Sequence, residues 1–408
     1  MTTSTQTLGE RLTYLRKKQG YSMKTLADLT GISAAYICKM ESGQRKPARD
    51  VMLRLVNSLL IESSQQERDE LLLLAGFAPL HYRSFMGKAD LIKLYQEALE
   101  AEPDNFKFFI SLVMVLIRSG RFADAEVRIQ KGIQTFDDQV QLQALLAALE
   151  LAKGQFDTAI EYQRSALDYF KMAKRAESQT LALPDLLLSL GVIYFLKGES
   201  QLDQLNHGQI PSNQTVSGLS ESAWETLSEA KKCFHQALKA SPEDVYILDE
   251  YARVCYSLAT LDNECSPSPL WKESASNFKK VICSPDKHNL GATHLLHSTS
   301  FWALALAKSQ DYESAWLQLS VVEACIPDFW LVHYLKASYF CLRFQEDKLS
   351  PKEKKLQLDL ALKALEIVLK NEDPQNPSRT EALVDPDLNV LRQEKKLEFM
   401  NLMKKYGS

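Results

Sequence analysis

The sequence has neither the motifs of common enzyme classes nor the long apolar run of a membrane protein. It contains no GxSxG, no P-loop, no HExxH and no glycine-rich dinucleotide turn, and its seven histidines are dispersed. No stretch reaches the roughly 18 uninterrupted apolar residues that a membrane-spanning helix needs. The first residues also lack the basic region and apolar run of a secretion signal. We therefore expect a non-enzymatic, cytoplasmic protein without a membrane segment.

Paired cysteines are missing as well. The seven cysteines never form a CxxC motif, which argues against a disulfide framework and against a zinc ribbon. Cys233 and Cys283 lie close in sequence to His235 and His288, but a metal site needs more ligands than these pairs offer. We therefore predict neither a metal site nor a bound cofactor.

Charge is distributed unevenly along a chain of otherwise ordinary composition. Hydrophobic residues make up 45% and charged residues 25% of the sequence, as in soluble globular proteins. A chain of 408 residues is too long for one core. Residues 1–60 carry a net charge of +6 and the remainder carries −10. A small basic head on a large acidic body indicates that the head contacts phosphate.

The head, residues 1–80, has the pattern of five short helices. Leu8, Leu12 and Leu15 recur at helical spacing in the first helix, and Leu26, Ala27 and Leu29 are expected to be buried by the second. The starts and ends of the helices are marked by residues that favour caps and turns: Gly20, Ser22, Gly31, Ser33, Gly43 and Pro47. A fifth helix, SQQERDELLLLAG, runs to Gly76. Because a glycine turn joins the second and third helices, the sequence predicts a helix-turn-helix.

The run LGERLTYLRKKQGYSMKTLADLTGISAAYICKMESGQRKP resembles the lambda-repressor and Cro-like (XRE) family of DNA-binding domains, over residues 7–60. The resemblance implies a structural pair between Arg16 and Glu41. It also implies that bases are read from the first exposed positions of the third helix and from one turn later: Ala34, Ala35, Tyr36 and Lys39. Alanine cannot form the bidentate bonds that Gln or Asn offers adenine. Direct reading should therefore depend on Tyr36 and Lys39, supplemented by DNA shape.

Phosphate contacts are predicted at helix starts and in the loop after the third helix. The predicted residues are Met23, Lys24, Ser33, Gln44, Arg45 and Lys46. Met23 stands where the family often has a glutamine that holds a phosphate. The alternative is that QRK is a solvated loop, that Tyr36 is a half-buried ring, and that the head has kept its fold but lost DNA.

The body contains an internal repeat. RSGRFADAE and AKGQFDTAI share Gly, Phe and Ala at an offset of 34 residues: Gly120, Phe122 and Ala125 recur as Gly154, Phe156 and Ala159. This spacing resembles that of tetratricopeptide repeat (TPR) proteins. We predict an all-α fold with about six hairpins, forming a right-handed α-solenoid over residues 85–384 and closed by a capping helix over 385–408. Residues 199–221 are predicted to be a polar loop inside one hairpin, and 262–270 a shorter break.

TPR solenoids bind partners in the groove lined by the first helix of each hairpin. The repeat frame places the following predicted ligand-binding residues there: Tyr246, Asp249, Arg253, Tyr256, His297, Ser300 and Tyr334. Asp249, Arg253 and Tyr256 share one helix face and could hold the termini or backbone of a peptide. An internal Asp–Arg pair on a solvated face is the alternative. The Lys and Asn clamp of chaperone-tail-binding TPR domains is absent from the equivalent positions, so an apolar extended peptide fits better.

An XRE head followed by a TPR body resembles the RRNPP group of bacterial quorum-sensing regulators, in which a short secreted peptide re-enters the cell and binds the TPR groove. The resemblance implies a homodimeric, double-stranded-DNA-binding transcription regulator that a peptide switches. Groove asparagines that often bind the peptide backbone in that group are not evident at the mapped positions. From another class, a TPR adaptor that grips a protein and carries a vestigial head is the alternative.

Overall fold

A computed structural model of the chain describes residues 7–45, 47, 49–60, 68, 71–72, 74–75, 88–172, 181–211, 215–262, 268–370 and 378–406. The regular elements in these ranges are all helices, which confirms the predicted all-α class. The chain divides into two compact units, residues 1–108 and 109–408.

In its described residues, the first unit contains four short helices and a longer one. These are α1 (Leu8–Lys18), α2 (Met23–Thr30), α3 (Ala34–Glu41), α4 (Arg49–Leu59) and α5 (Lys88–Ala101). Ser22 and Ser33 cap α2 and α3 as predicted, because each hydroxyl accepts the backbone N–H three residues on, at 3.0 and 3.3 Å. Gly31 ends α2 in the left-handed conformation at φ 64°. The predicted fifth helix of the head lies largely outside the described residues.

The core of the head is apolar and includes residues from α1 to α4. Leu15, Leu26, Ile37 and Met40 are each at most 2% exposed. The prediction for Leu29 was wrong, because this side chain is 55% exposed. In an eight-residue helix, a single stripe through Leu26 and Thr30 supplies the buried contacts, and Leu29 lies off that stripe.

The second unit is a series of helical hairpins. Its helices are α6 (Phe106–Arg118), which starts just before it, α7 (Phe122–Thr135), α8 (Gln139–Ala152), α9 (Phe156–Met172), α10 (Leu183–Asn206), α11 (Val216–Ala240), α12 (Val245–Leu261), α13 (Pro269–Cys283), α14 (Ala292–Lys308), α15 (Tyr312–Cys325), α16 (Trp330–Phe344) and α17 (Pro351–Lys370). Each even-numbered helix from α8 to α16 packs on the helix after it, and Phe109 of α6 packs against Gly132 of α7. The described ranges thus contain six hairpins, which confirms the predicted TPR-like solenoid.

The repeat residues have the roles that the 34-residue spacing predicts. Gly120 and Gly154 occupy the hairpin turns at φ 73° and 77°, where a side chain would strain the backbone. Ala125 and Ala159 are fully buried, so the second helix of each hairpin can approach the first closely. Gln310 takes the glycine position of a later hairpin and also has a positive φ, 68°.

Replacing Gly154 by alanine should lower the stability of the second unit by about 1 kcal/mol, because an L residue is strained in the left-handed region. No atom lies within 4 Å of the added Cβ, so the effect would come from the backbone alone. Gly154→Asn should cost less, because asparagine tolerates this conformation better. Chemical denaturation of the three chains checks the order; equal midpoints would contradict it.

The predicted loop over residues 199–221 was too long. Helix α10 continues to Asn206 and α11 begins at Val216. The helix continues through this polar stretch because Leu202 packs on the core of the second unit. The shorter break agrees with the structure, since α12 ends at Leu261 and α13 begins at Pro269.

The predicted single capping helix is broken. After α18 (Ser378–Val384), the chain forms a 3₁₀ turn at Pro386–Leu388 and two short helices, α19 (Asn389–Glu394) and α20 (Lys396–Lys405). Within this segment Ala382, Leu388, Leu391 and Phe399 are at most 1% exposed and join the same core as α16 and α17. The segment therefore folds back onto the last hairpins.

Candidate functional site

Helix α3 is held against α1 by Arg16 and Glu41, the pair that the XRE resemblance implied. Arg16 donates from Nε to Glu41 Oε1 at 2.6 Å and from Nη2 to Oε2 at 2.7 Å. A third bond runs from Arg16 Nη1 to the Tyr21 carbonyl at 3.1 Å. The Arg16 and Glu41 side chains are only 11% and 7% exposed. The hydrogen bonds that Arg16 donates to Glu41 raise the pKa of Arg16. This bidentate pair locks α3 onto α1.

The outer side of α3 presents the predicted base-reading positions. Ala34, Ala35 and Lys39 are exposed and Tyr36 is half-buried. The Arg45 guanidinium lies 4.7 Å from the centre of the Tyr36 ring, and its backbone N–H donates to the Lys39 carbonyl at 3.1 Å. A cation–π contact of this kind restricts both side chains. Lys39 is therefore the exposed long side chain of this set, and Tyr36 serves partly as a platform for Arg45.

The predicted phosphate-binding residues lie around the same helix. Lys24, Gln44 and Arg45 are exposed, and Met23 is half-buried. Ser33 accepts the Tyr36 N–H as the cap of α3, so its hydroxyl hydrogen remains available to a phosphate oxygen. Lys46 lies outside the described residues. Contact of these residues with DNA stays a prediction.

In the second unit, the predicted groove residues separate into open and buried ones. Tyr246 is 47% exposed and donates its hydroxyl to the Asn289 carbonyl at 2.6 Å. Arg253 and His297 are both half-buried, and the His297 ring lies 5.1 Å from that of Phe329.

Asp249, Ser300 and Tyr334 do not face an open groove, and that part of the prediction was wrong. Their exposures are 1%, 0% and 6%. Ser300 donates to the Leu296 carbonyl at 2.7 Å, and Tyr334 donates to Asp385 at 2.7 Å. All three side chains are therefore used within the fold, and the Tyr334–Asp385 bond joins α16 to the returning C-terminal segment.

Asp249 forms neither the peptide contact nor the Asp–Arg pair considered from the sequence. Its Oδ1 accepts the Ser298 hydroxyl at 2.6 Å, and its Oδ2 lies 2.7 Å from His294 Nε2. The carboxylate thereby joins α12 to α14. Arg253 instead approaches Glu250, with 3.7 Å between Nη1 and Oε1.

Tyr256 is enclosed by rings. It meets Trp271 edge-on, with ring centres 4.9 Å apart, and Phe301 at 5.5 Å. Burial is the main reason that its pKa is raised, and the carboxylates of Asp385, Asp387 and Glu199 add to the effect. Tyr256 is therefore a structural ring between α12, α13 and α14.

Four acidic residues of this region were missed from the sequence. The pKa of the carboxyl groups of Glu199, Glu250, Glu381 and Asp385 is raised in each case mainly by burial. Glu199 was missed because it was assigned to the loop. With the helix extended to Asn206, Glu199 lies on α10, the first helix of its hairpin.

The His294–Asp249 contact should make the second unit pH-dependent. The hydrogen bond to Asp249 raises the pKa of His294 above 6.5, whereas burial lowers the pKa of His297. A raised folded-state pKa gives a contribution to stability that is complete below about pH 6.5 and is lost as the pH rises through the folded value. The lowered pKa of His297 has the opposite effect on stability, because burial favours its neutral form. The stability advantage of the native chain over His294→Gln should therefore shrink between pH 6 and pH 8.

Denaturation of both chains across this pH range, with His imidazole NMR titration, measures the effect. Asp249→Asn should bring the pKa of His294 down towards its ordinary value. The pKa of His297 should stay below its ordinary value in this variant. A His294 that titrates at or below 6.5 in the native chain would contradict the assignment.

Comparison with known proteins identifies the two regions. A helix-turn-helix family model matches residues 12–62, and a tetratricopeptide repeat model matches residues 89–149. The chain thus has an N-terminal helix-turn-helix domain of the XRE type followed by TPR repeats, as the sequence predicted. A search of curated proteins finds no match. Among the described residues, no helix is long and apolar enough to cross a membrane.

Three solved structures illustrate the helical-repeat likeness. A monomeric IFIT1 mutant with Gppp-AAAA is 13% identical, with a TM-score of 0.47 over 97% of this chain and 80% of that chain. The human IFIT1 dimer with m7Gppp-AAAA is 12% identical, with a TM-score of 0.29 over 78% and 74%. The TPR domain of P58(IPK) is also 12% identical, with a TM-score of 0.25 over 95% of each chain. At these values, the likeness carries no argument about function.

Proposed function

We propose that the chain is a non-enzymatic, dimeric transcription regulator, in which the head binds duplex DNA and the TPR groove binds a short signalling peptide. The observation that carries the DNA-binding half is the arrangement of α3. Its inner face is fixed by the Arg16–Glu41 pair, and its outer face exposes Ala34, Ala35 and Lys39. A short, rigid helix with a free outer face is what the major groove accepts.

Recognition of DNA by this surface depends more on the shape of the duplex and on phosphate contacts than on contacts with base edges. Two exposed alanines let α3 approach the bases and touch thymine methyl groups, but they form no hydrogen bonds. Lys39 supplies the side chain able to bind a guanine edge, while Lys24, Gln44 and Arg45 supply backbone contacts. We expect steep salt dependence with modest sequence preference.

Regulation requires the peptide to favour one arrangement of the paired heads. A helix-turn-helix dimer binds half-sites about one helical turn apart. A ligand that binds both arrangements equally well shifts neither. The peptide therefore has to bind one of two dimer forms more tightly. If it prefers the dimer whose heads match that spacing, it promotes DNA binding; if it prefers the other dimer, it prevents DNA binding.

Selection of duplexes from a random pool by the full-length chain tests the proposal. We expect an enriched site with two half-sites about 10 base pairs apart. Lys39→Ala should weaken binding to that site roughly tenfold and relax its sequence preference. Lys131→Ala, at an exposed lysine of α7, is the matched control and should change neither.

One observation favours the adaptor as a second candidate. The positions where the XRE family carries its base readers hold Ala34 and Ala35, which is compatible with a head that has lost sequence reading. A chain that enriches no site from the pool and co-purifies with a stable protein partner would support the adaptor and contradict the regulator.

A further inference from the structure

Buried acidic groups gather on the first helices of neighbouring hairpins in the second unit. Glu199 lies on α10 and Glu250 on α12, and the two carboxylates interact electrostatically with each other and with Arg253. Both belong to helices whose equivalents line the groove of a TPR solenoid. We call Glu199 and Glu250 the acidic surface; Glu381 and Asp385 lie in the returning C-terminal segment and interact electrostatically with each other.

The carboxylates of this region differ in how well they are paired. Asp249 uses both oxygens within the fold, as described above, and Asp385 accepts from Tyr334 at 2.7 Å and from a backbone N–H at 2.8 Å. In contrast, Glu199 Oε1 is buried and has no hydrogen-bond partner among the described residues, and the hydrogen bond to this carboxyl group comes from a neutral group, the Ser257 hydroxyl. Glu250 contacts one cation in the described ranges, Arg253, at 3.7 Å. Glu199 and Glu250 are therefore the under-compensated pair.

The pair borders an accessible surface. The Glu250 side chain is 20% exposed and the Arg253 side chain is 38% exposed. The Arg253 guanidinium lies 5.5 Å from the centre of the Phe195 ring, which is buried in the core and restricts the arginine side chain. His294 opens onto the same region with a 38% exposed side chain. A ligand can thus reach this position along the first helices of the hairpins.

The charge balance decides which kind of ligand fits. A buried carboxylate without sufficient compensation is unfavourable, and an added cation reduces that cost. Arg253 cannot serve as a strong anion site, because Glu199 and Glu250 already surround it with negative charge. An anionic ligand would be repelled, whereas an amine or guanidinium would gain two carboxylates.

We propose that the surface formed by Glu199, Glu250 and Arg253 binds the cationic group, a primary amine or guanidinium, of the peptide in the groove. The proposal rests on the peptide-binding function proposed above and specifies the chemistry of its ligand. Glu250, whose side chain is 20% exposed, contacts the cation directly, and the buried carboxylate of Glu199 adds negative charge to the site.

Three pools of hexapeptides test the proposal on the full-length chain. Each pool has a blocked N-terminus and an amidated C-terminus, random apolar residues, and one fixed residue: lysine, norleucine or glutamate. Retained peptides are identified by mass spectrometry and the strongest are measured by calorimetry. We expect the lysine pool to be enriched at least tenfold over the other two. We also expect Glu199→Gln and Glu250→Gln each to weaken the best lysine peptide at least tenfold.

Matched variants separate this effect from misfolding. Glutamine keeps the shape of glutamate and removes the under-compensated charge, so both variants should melt at or above the native temperature. Glu313→Gln, at an exposed glutamate of α15, should bind the lysine peptide like the native chain. Equal enrichment of the three pools, or unchanged affinity of both Glu199→Gln and Glu250→Gln for the lysine peptide, would overturn the cationic site. Peptide binding itself would still stand. Failure of all three pools to bind would overturn both proposals.

Discussion

Arg16→Ala should destabilise the head by about 3 kcal/mol, because it leaves the Glu41 carboxylate nearly buried without its partner. The two bonds at 2.6 and 2.7 Å and the third to the Tyr21 carbonyl are lost together. Hydrogen exchange of the α1 and α3 amides in the full-length chain measures the loss directly. DNA binding should fall with it, since α3 would no longer be held against α1.

Two comparison chains make the Arg16 prediction specific. Lys17→Ala changes the adjacent, exposed residue and should leave protection within about 0.5 kcal/mol of the native value. Arg16→Met combined with Glu41→Leu removes both charges and should recover much of the stability, because no uncompensated carboxylate remains. Native-like exchange in the single Arg16→Ala chain would show that the pair does not fix α3.

Gly9→Ala should be the other damaging substitution in the head, although alanine favours helices by about 1 kcal/mol over glycine. A Cβ at position 9 would lie 2.3 Å from the Glu41 carbonyl oxygen and 2.9 Å from its carbonyl carbon. Backbone atoms cannot rotate away, so α1 and α3 would have to separate. The crowding cost of about 1–3 kcal/mol should exceed the gain in helix propensity and disturb the Arg16–Glu41 pair.

Gly198→Ala provides the comparison. Its Cβ would lie 2.5 Å from Leu227 Cδ2 and 2.6 Å from Leu227 Cγ. These are side-chain atoms that a change of χ1 can move, unlike the backbone atoms of Glu41, so α10 should tolerate the change better. Melting curves and hydrogen exchange of the two variants give the order. A Gly9→Ala chain that is as stable as the native protein, as helix propensity alone would suggest, would contradict the close contact between α1 and α3.

Local rules made most of the head and the repeat predictable. Ser22, Ser33 and Gly31 act through the neighbouring backbone, and the Gly154 turn repeats Gly120 at a fixed offset. Features of this kind depend on residues close in sequence. The exposed positions of α3 followed from the same register, which fixes Ile37 inside and thereby leaves Lys39 outside.

The parts that sequence did not predict depend on distant contacts. The buried position of Tyr334 results from Asp385, 51 residues away, and the pairing of Asp249 results from Ser298, 49 residues away. The length of α10 depends on Leu202 packing on a core that no local pattern reveals. The acidic surface was missed for the same reason, because Glu199 lies on the part of α10 that looked like a loop.

The salt dependence of DNA binding tests the central claim most directly. If the head binds duplex phosphates, the logarithm of affinity should fall steeply with the logarithm of salt concentration. Replacing both Lys24 and Arg45 by alanine should reduce that slope by about 2, whereas Lys131→Ala should leave it unchanged. A native chain without a steep slope, or a double variant whose slope equals the native one, would contradict the assignment of α2, α3 and the following loop as the DNA-binding surface.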